Sequence, residues 1–456
     1  MSKPVKNEKY IVRIEGLNSE AQGIARIERF TLFVPGALPG ELVRVRVHKV
    51  KKNYGYGFVL DVIEPSRMRT EPLCEVFGKC GGCLLQHMDY KAQLNYKTGK
   101  TSDALKRIGG ANCPVLNTIG MKYPVRYRNK AQFPVKAARE ADGGETEIGL
   151  YAPRSHRHIP VDDCFLQLPV NREIMAAVKD FLIRNKIAPY NEHDHTGLVR
   201  HVITRFGFAT GEIMAGLVIN GEKLPRSAEL VKELRKVKGI TSIVLNINTE
   251  RTNEIMGDRT ETLYGQDYIT ERLDRLTFRI SPRSFFQVNT VQAEALYDIA
   301  AKLAELTEND VVIDAYCGIG SIALFIAERV KKVWGIDIVP EAIADARVNA
   351  ELNGITNAEF ICGSAEDDLD TLIVKARPDV IFLDPPRKGC DRRVLSAAAQ
   401  SGARKIIYIS CDPATLARDI KQLADEGYTA ETAQPVDMFA QTGHVETVVV
   451  LQRSGT

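Results

Sequence analysis

The sequence predicts an α/β protein: an open, mostly parallel sheet, preceded by a small OB-type β-barrel and a mixed α/β segment. Three observations predict it. From about residue 281, short apolar runs alternate with helical patterns. Residues 8–64 are instead a series of β-rich runs separated by Gly and Pro turns. The 456 residues, 44% hydrophobic and 26% charged, suit about three globular domains of roughly 150 residues each. We divide the chain into 1–64, 65–280 and 281–456.

In the first segment, strands are expected at Tyr10–Ile14, Thr31–Val34, Glu41–Val50 and Gly57–Ile63. Val43, Val45 and Val47 alternate with Arg44, Arg46 and His48, which gives one apolar and one basic face. Tyr54, Tyr56 and Phe58 interleave with that basic face, as a surface that both stacks bases and neutralises phosphates requires. A solvated barrel face explains the charges equally well. Net charge is only +3, yet residues 1–140 carry 25 Lys and Arg against 12 Asp and Glu, and the remainder 36 against 46. A basic front half suits a polyanion partner, or docks on the acidic half. The start, Met1 to Tyr10, has no apolar stretch, and no run is long enough to span a membrane, so a cytoplasmic protein is expected.

Glu64-Pro65-Ser66 reads as a linker. Beyond it lie a helical pattern at 88–109 that can pack on either neighbour, a basic segment (Arg126, Arg128, Lys130) and a loop-rich stretch at 141–144. Nine cysteines is an odd number for a disulfide scaffold, so metal binding or catalysis is the better use of them.

Strands of the last segment are expected at Val311–Asp314, Val333–Asp337, Glu359–Cys362, Val380–Asp384, Lys405–Ser410 and Val445–Leu451. Ligands of such sheets bind at the carboxyl ends of the strands. There the first strand runs into Asp314-Ala315-Tyr316-Cys317-Gly318-Ile319-Gly320, whose glycines admit close backbone approach. Asp337 ends the next strand, where a carboxylate grips ribose hydroxyls. A dinucleotide fingerprint would have Gly where Tyr316 stands, so a ligand without pyrophosphate fits better, such as S-adenosylmethionine. Asp384 points into the same cleft from Asp384-Pro385-Pro386-Arg387, part of a motif of exocyclic-amine methyltransferases whose fourth place is usually aromatic.

Cys411 ends the Lys405–Ser410 strand just ahead of a helix from Ala414 to Ala424, where a helix N-terminus lowers a thiol's pKa. It is a candidate nucleophile, or a small buried hydrophobe. Glu446 opens an apolar strand, where desolvation raises its pKa toward that of a general base; a structural carboxylate is the alternative. His444 reads as an ordinary loop histidine. Thiolate, carboxylate and methyl donor together suit methylation of a uracil C5 that is first activated by thiolate addition at C6.

Ser410 to Asp419, His444-Val445-Glu446, Asp314 to Gly320 and Ser281 to Asn289 resemble the RNA (uracil-C5)-methyltransferase family, and the front barrel resembles its TRAM domain. The resemblance implies a Rossmann-like S-adenosylmethionine-dependent methyltransferase domain at the C-terminus. It implies Cys411 as nucleophile and Glu446 as proton acceptor. Gln287, Tyr316, Gly318, Asp337 and Asp384 would bind S-adenosylmethionine, and Phe285 would stack on a nucleobase. The family commonly has Glu in place of Asp337. Cys74-x5-Cys80-x2-Cys83 with the distant Cys164 is similar to the four-cysteine iron–sulfur site of the ribosomal-RNA branch, although four thiolates also suit zinc. The spacing is not that of radical enzymes. These features imply a monomeric enzyme forming 5-methyluridine at one or two positions of 23S ribosomal RNA. Transfer RNA is the nearer alternative, and an amine methyltransferase or a non-catalytic RNA-binding protein the more distant ones.

Overall fold

The computed structural model describes residues 3–138 and 146–453, so the loop-rich stretch at 141–144 lies outside the described residues. Five strands close a barrel in the order β1-β2-β3-β5-β4: β1 (Lys9–Leu17), β2 (Gln22–Ile27), β3 (Phe30–Pro35), β4 (Leu42–Val50) and β5 (Tyr54–Glu64). The period-two pattern of β4 sends Val43, Val45 and Val47 into the barrel core with Ile14, Leu32 and Val34. The sequence reading lacked β2, whose Gln-Gly start and Arg26 break its apolar pattern. Gly23 is required there because a Cβ would sit 2.9 Å from the Ala37 carbonyl. On the outside His48 stacks on Phe58 at 4.0 Å, and Tyr54 meets Tyr56 edge-on. Arg44 and Arg13 on this outer surface are paired with Asp61 and Glu64.

Helix α1 (Tyr90–Arg107) starts at Asp89, whose carboxylate accepts from the amides of Lys91 and Ala92. Its C-terminal end buries Leu105 among Leu416, Ala417 and Ile420 of the last segment. The central unit follows, with β6 (Lys130–Ala137), β7 (Thr146–Tyr151), β8 (His158–Pro160), α2 (Val170–Arg184), β9 (Val199–Phe206), β10 (Ile213–Ile219), α3 (Ser227–Leu234), β11 (Ile240–Ile247) and β12 (Arg259–Gly265). These strands form one sheet in the order β12-β11-β10-β9-β6-β7-β8, antiparallel except for the β10–β11 pair that α3 connects. A hairpin of β13 (Ile269–Leu273) and β14 (Leu276–Ile280) comes next. Ile269, Leu273 and Phe278 share a core with Ala293 and Leu296 of the C-terminal unit, so apolar packing does not divide at 280/281 where the sequence reading cut it.

The C-terminal unit contains α4 (Thr290–Ala304), β15 (Val311–Ala315), α5 (Ser321–Ile326), β16 (Lys332–Asp337), α6 (Pro340–Leu352) and β17 (Ala358–Cys362). It continues with α7 (Ala365–Ala376), β18 (Val380–Leu383), α8 (Arg392–Gln400), β19 (Lys405–Ser410), α9 (Pro413–Asp425), β20 (Tyr428–Val436) and β21 (Glu446–Arg453). Its sheet runs β17-β16-β15-β18-β19-β21-β20, with β21 antiparallel to both neighbours. Val312, Phe382 and Ile407 face one apolar layer and Ile313, Ile381 and Ile406 the other, which is why these strands read as unbroken apolar runs. Strand order reverses between β15 and β18, and the crevice opens at their carboxyl ends. The C-terminal half of the outer edge of β20 is covered. Leu116 and Ile119 donate their amides to Ala433 and Pro435, so a segment from before the central unit covers it.

Candidate active site

Asp314 is fully buried near the end of β15. One carboxylate oxygen accepts the Ala323 amide at 2.9 Å, and the other, Oδ1, has no protein partner. Burial, then the nearby Asp384, pushes this carboxyl well above its ordinary range. Tyr316 adopts a left-handed conformation (φ 67°) and turns its ring toward Cys390. Gly318 also has positive φ (54°), with open space where a Cβ would stand, so conformation rather than space favours glycine there. Asp337 accepts the Gly318 amide through Oδ2 and the Val339 amide through Oδ1, both at 2.9 Å. It therefore fixes the loop between β15 and α5.

The segment Ser281–Asn289 approaches the same crevice between β14 and α4. Arg205 holds it from below by donating to the carbonyls of Pro282 and Ser284, and Asn129 donates its side-chain amide to the Gln287 carbonyl at 2.8 Å. Gln287 is buried as a result, whereas Phe285, 66% exposed, stands free on the surface.

The β19–β21 register pairs Ser410 with Thr447, which brings Cys411 opposite Glu446 at the crevice. Asp384, one residue beyond the end of β18, keeps a little open surface in the crevice, and desolvation pushes its carboxyl up to about 7. Glu446 is buried and rises to about 8, through desolvation first and Asp384 second, with Arg387 opposing. The half-buried Cys411 rises to about 11 through desolvation and the Glu446 charge. This corrects the expectation of an acidic thiol at a helix N-terminus. Asp412 caps α9, and its Oδ1 accepts the Ala414 and Thr415 amides at 2.8 and 3.1 Å, so a carboxylate occupies the amides that would have favoured thiolate. Sequence reasoning missed Arg387 as part of the site. It is the one cation among the main influences on both Cys411 and Glu446, and its position directly after Asp384-Pro385-Pro386 was the available signal. His444 is pushed down to about 4 by burial and neighbouring cations, as suits a neutral loop histidine.

Cys74, Cys80, Cys83 and Cys164 come together in a separate place and line one pocket with Phe77 and Leu166. Gly82 donates its amide to Cys80 Sγ at 3.3 Å, and Gln86 its side-chain amide to Cys83 Sγ at 3.2 Å. Burial and the other thiols push Cys83 up to about 12. All four are free thiols, and among the described residues no group of three or more His, Cys, Asp or Glu converges closely enough to hold a single ion.

The sequence model of the family described as tRNA (Uracil-5-)-methyltransferase matches residues 252–454, and that of the TRAM domain residues 6–60. An uncharacterized RNA methyltransferase of Clostridium tetani is 44% identical, over 99% of this chain and 97% of its own. One from Halalkalibacterium halodurans is 47% identical, over 98% and 97%. The chain belongs to the RNA (uracil-C5)-methyltransferase family. Among solved structures, the Pyrococcus abyssi tRNA (uracil-54, C5)-methyltransferase in complex with S-adenosyl-L-homocysteine is 29% identical. It superposes with a TM-score of 0.78, covering 97% of this chain and 99% of that one. This uracil-C5 methyltransferase is thus S-adenosylmethionine-dependent, with a TRAM barrel in front of a Rossmann-like domain. The unpartnered Asp314 Oδ1 and three carboxylates around one crevice suit a ligand that brings hydrogen-bond donors and a sulfonium charge. Among the described residues no helix is long and apolar enough to cross a membrane.

Proposed function

We propose that this enzyme forms 5-methyluridine in 23S ribosomal RNA, in the cytoplasm and as a monomer, with Cys411 as nucleophile and Glu446 as the final base. The observation that carries the reading is the pairing of Cys411 with Glu446 across β19 and β21, in the crevice that Asp314, Asp337 and Asp384 line. A flipped uridine enters beside S-adenosylmethionine, which Gln287, Tyr316, Gly318, Asp337 and Asp384 bind. Cys411 sulfur bonds to C6 of the ring, and the C5–C6 π electrons move onto the C4 carbonyl as an enolate. C5 then takes the methyl group from the sulfonium. Glu446 accepts the C5 proton, the C6–sulfur bond breaks, and product leaves. Burial raises the thiol and both carboxyls; Arg387 opposes that rise at Cys411 and Glu446, and the sulfonium charge would oppose it further. Phe285, exposed on its loop, stacks on a base, and the aromatic and basic face of the barrel tracks the strand.

For Cys74, Cys80, Cys83 and Cys164 we propose a four-iron, four-sulfur cluster. The donor set supports it: four soft thiols line one pocket, as an iron–sulfur cluster requires. The cluster would clamp the central unit; the proposed reaction transfers no electron. Transfer RNA as substrate is the second reading, favoured by the likeness to the Pyrococcus abyssi enzyme.

RNA carrying 5-fluorouridine, incubated with enzyme and methyl donor, should form a covalent complex that survives denaturation, because fluorine does not leave as a proton. Ribosomal RNA should trap enzyme where transfer RNA does not. Cys411→Ala should form no complex and lose at least ~10³-fold in turnover. Normal turnover by Cys411→Ser overturns the reading.

A further inference from the structure

We propose that α1 is a positioning element for the base: Lys97 and Lys100 hold the segment Asp437–His444 so that Glu446 meets the C5 proton. The inference rests on the reading of Glu446 given above. Lys97 is completely buried, and its Nζ donates to Asp437 Oδ1 at 2.5 Å and to the Phe439 carbonyl at 3.0 Å. Tyr90 donates its hydroxyl to the other Asp437 oxygen at 2.8 Å. Lys100 Nζ donates to the Gly443 carbonyl at 2.7 Å, three residues before Glu446. Gln93 and Gln441 bond in both directions, at 3.0 and 3.1 Å.

These bonds end on the backbone and side chains of one loop. The buried face of α1 carries Gln93, Lys97 and Thr101, where a helix that merely filled space would carry apolar side chains. A buried ion pair is often no more stabilising than apolar residues of the same shape, so its presence argues for placement rather than stability. The same helix meets the barrel. Tyr96 accepts the Ala21 amide and donates to the Asn18 carbonyl, both at 3.0 Å. The Ala21 methyl lies 3.8 Å from where a Cβ on Gly443 would stand. Barrel, helix and the approach to Glu446 are thus one contiguous stack.

The test uses full-length Glu446→Gln, Lys97→Met, Lys100→Met and Lys100→Arg. Each is incubated with RNA and methyl-labelled donor, and the denaturation-resistant, methyl-bearing protein–RNA adduct is quantified beside kcat, KM and donor affinity by calorimetry. Glu446→Gln, unable to take the proton, should accumulate adduct; its failure to do so overturns the reading of Glu446 itself. With that adduct present, Lys97→Met and Lys100→Met should hold about tenfold more adduct than the unaltered enzyme and lose about tenfold in kcat. KM for RNA should fall along with kcat, so that kcat/KM and donor affinity stay within about twofold, and Lys100→Arg should behave as the unaltered enzyme. Unaltered adduct and kcat in Lys100→Met that binds donor normally overturn the inference. Should Lys97→Met fail to fold, Lys100→Met, which leaves the Lys97–Asp437 pair intact, decides alone.

Discussion

The crevice at the ends of β15, β18 and β19 and the four-cysteine cavity are both clusters of buried acids that raise one another's pKa. They differ in their cations. In the crevice Arg387 opposes the rise at Cys411 and Glu446, and Asp384 still reaches open space. At the cysteine pocket Arg126, which donates to the Cys164 carbonyl, is engaged by Asp163 at 2.6 and 2.7 Å, and burial first, with a smaller push from the other thiols, raises Cys80, Cys83 and Cys164. A partly balanced cluster suits a positive charge that comes and goes with each turnover. An unbalanced one suits a charge that stays.

The sharpest way to break that contrast is at the cavity. Protein purified without oxygen should be brown with broad visible absorption, and Cys83→Ala should lose the colour and about 2–4 kcal/mol of stability with it. Colourless, zinc-containing protein would sink the cluster assignment. In the crevice, the protonation of Glu446 gives a pH signature. Its carboxyl titrates near 8 folded and near 4.5 unfolded, so the folded state holds the proton more tightly. That contribution is fully present below about 4.5 and is lost as pH rises through 8. Glu446→Gln should therefore melt about 2–5 °C higher than the unaltered protein at pH 8.5 and show a smaller difference at pH 4.5. A difference that grows toward acid would contradict the burial argument. The smallest expected effect is a fraction of a proton. Near pH 7, S-adenosylmethionine binding should release more protons than its uncharged product, because only the sulfonium lowers Asp384 and Glu446; calorimetry in buffers of different ionisation enthalpy reads the difference.

What the sequence disclosed follows the same physics. Strands β15, β16, β18 and β19 were legible within a residue or so because both faces are buried, which leaves runs such as Ile406 to Ile409 without polar interruption. Strand β20 was not, since Pro435 and Glu431 fit only an edge, and the chain that covers it comes from over 300 residues earlier. The docking of residues 88–109 was undecidable for a related reason: Gln93, Lys97 and Thr101 interrupt the buried face of α1 between Ala92 and Leu105, so no continuous apolar stripe announces its partner. At Cys411 the position at a strand end was readable, but the sign of its pKa shift was not. That sign depends first on burial and then on a carboxylate 35 residues downstream across the sheet, with Asp412 occupying the amides of α9. Cys164 joins the other three cysteines only once the central sheet brings β7 and β8 alongside them.

The covering of β20 by Leu116 and Ile119 has a consequence for how this enzyme can be taken apart. A fragment beginning at residue 281 would leave that strand's hydrogen-bonding groups bare and invite sheet-to-sheet polymerisation. The catalytic half is not a transplantable module; its solubility is supplied by chain made before it on the ribosome.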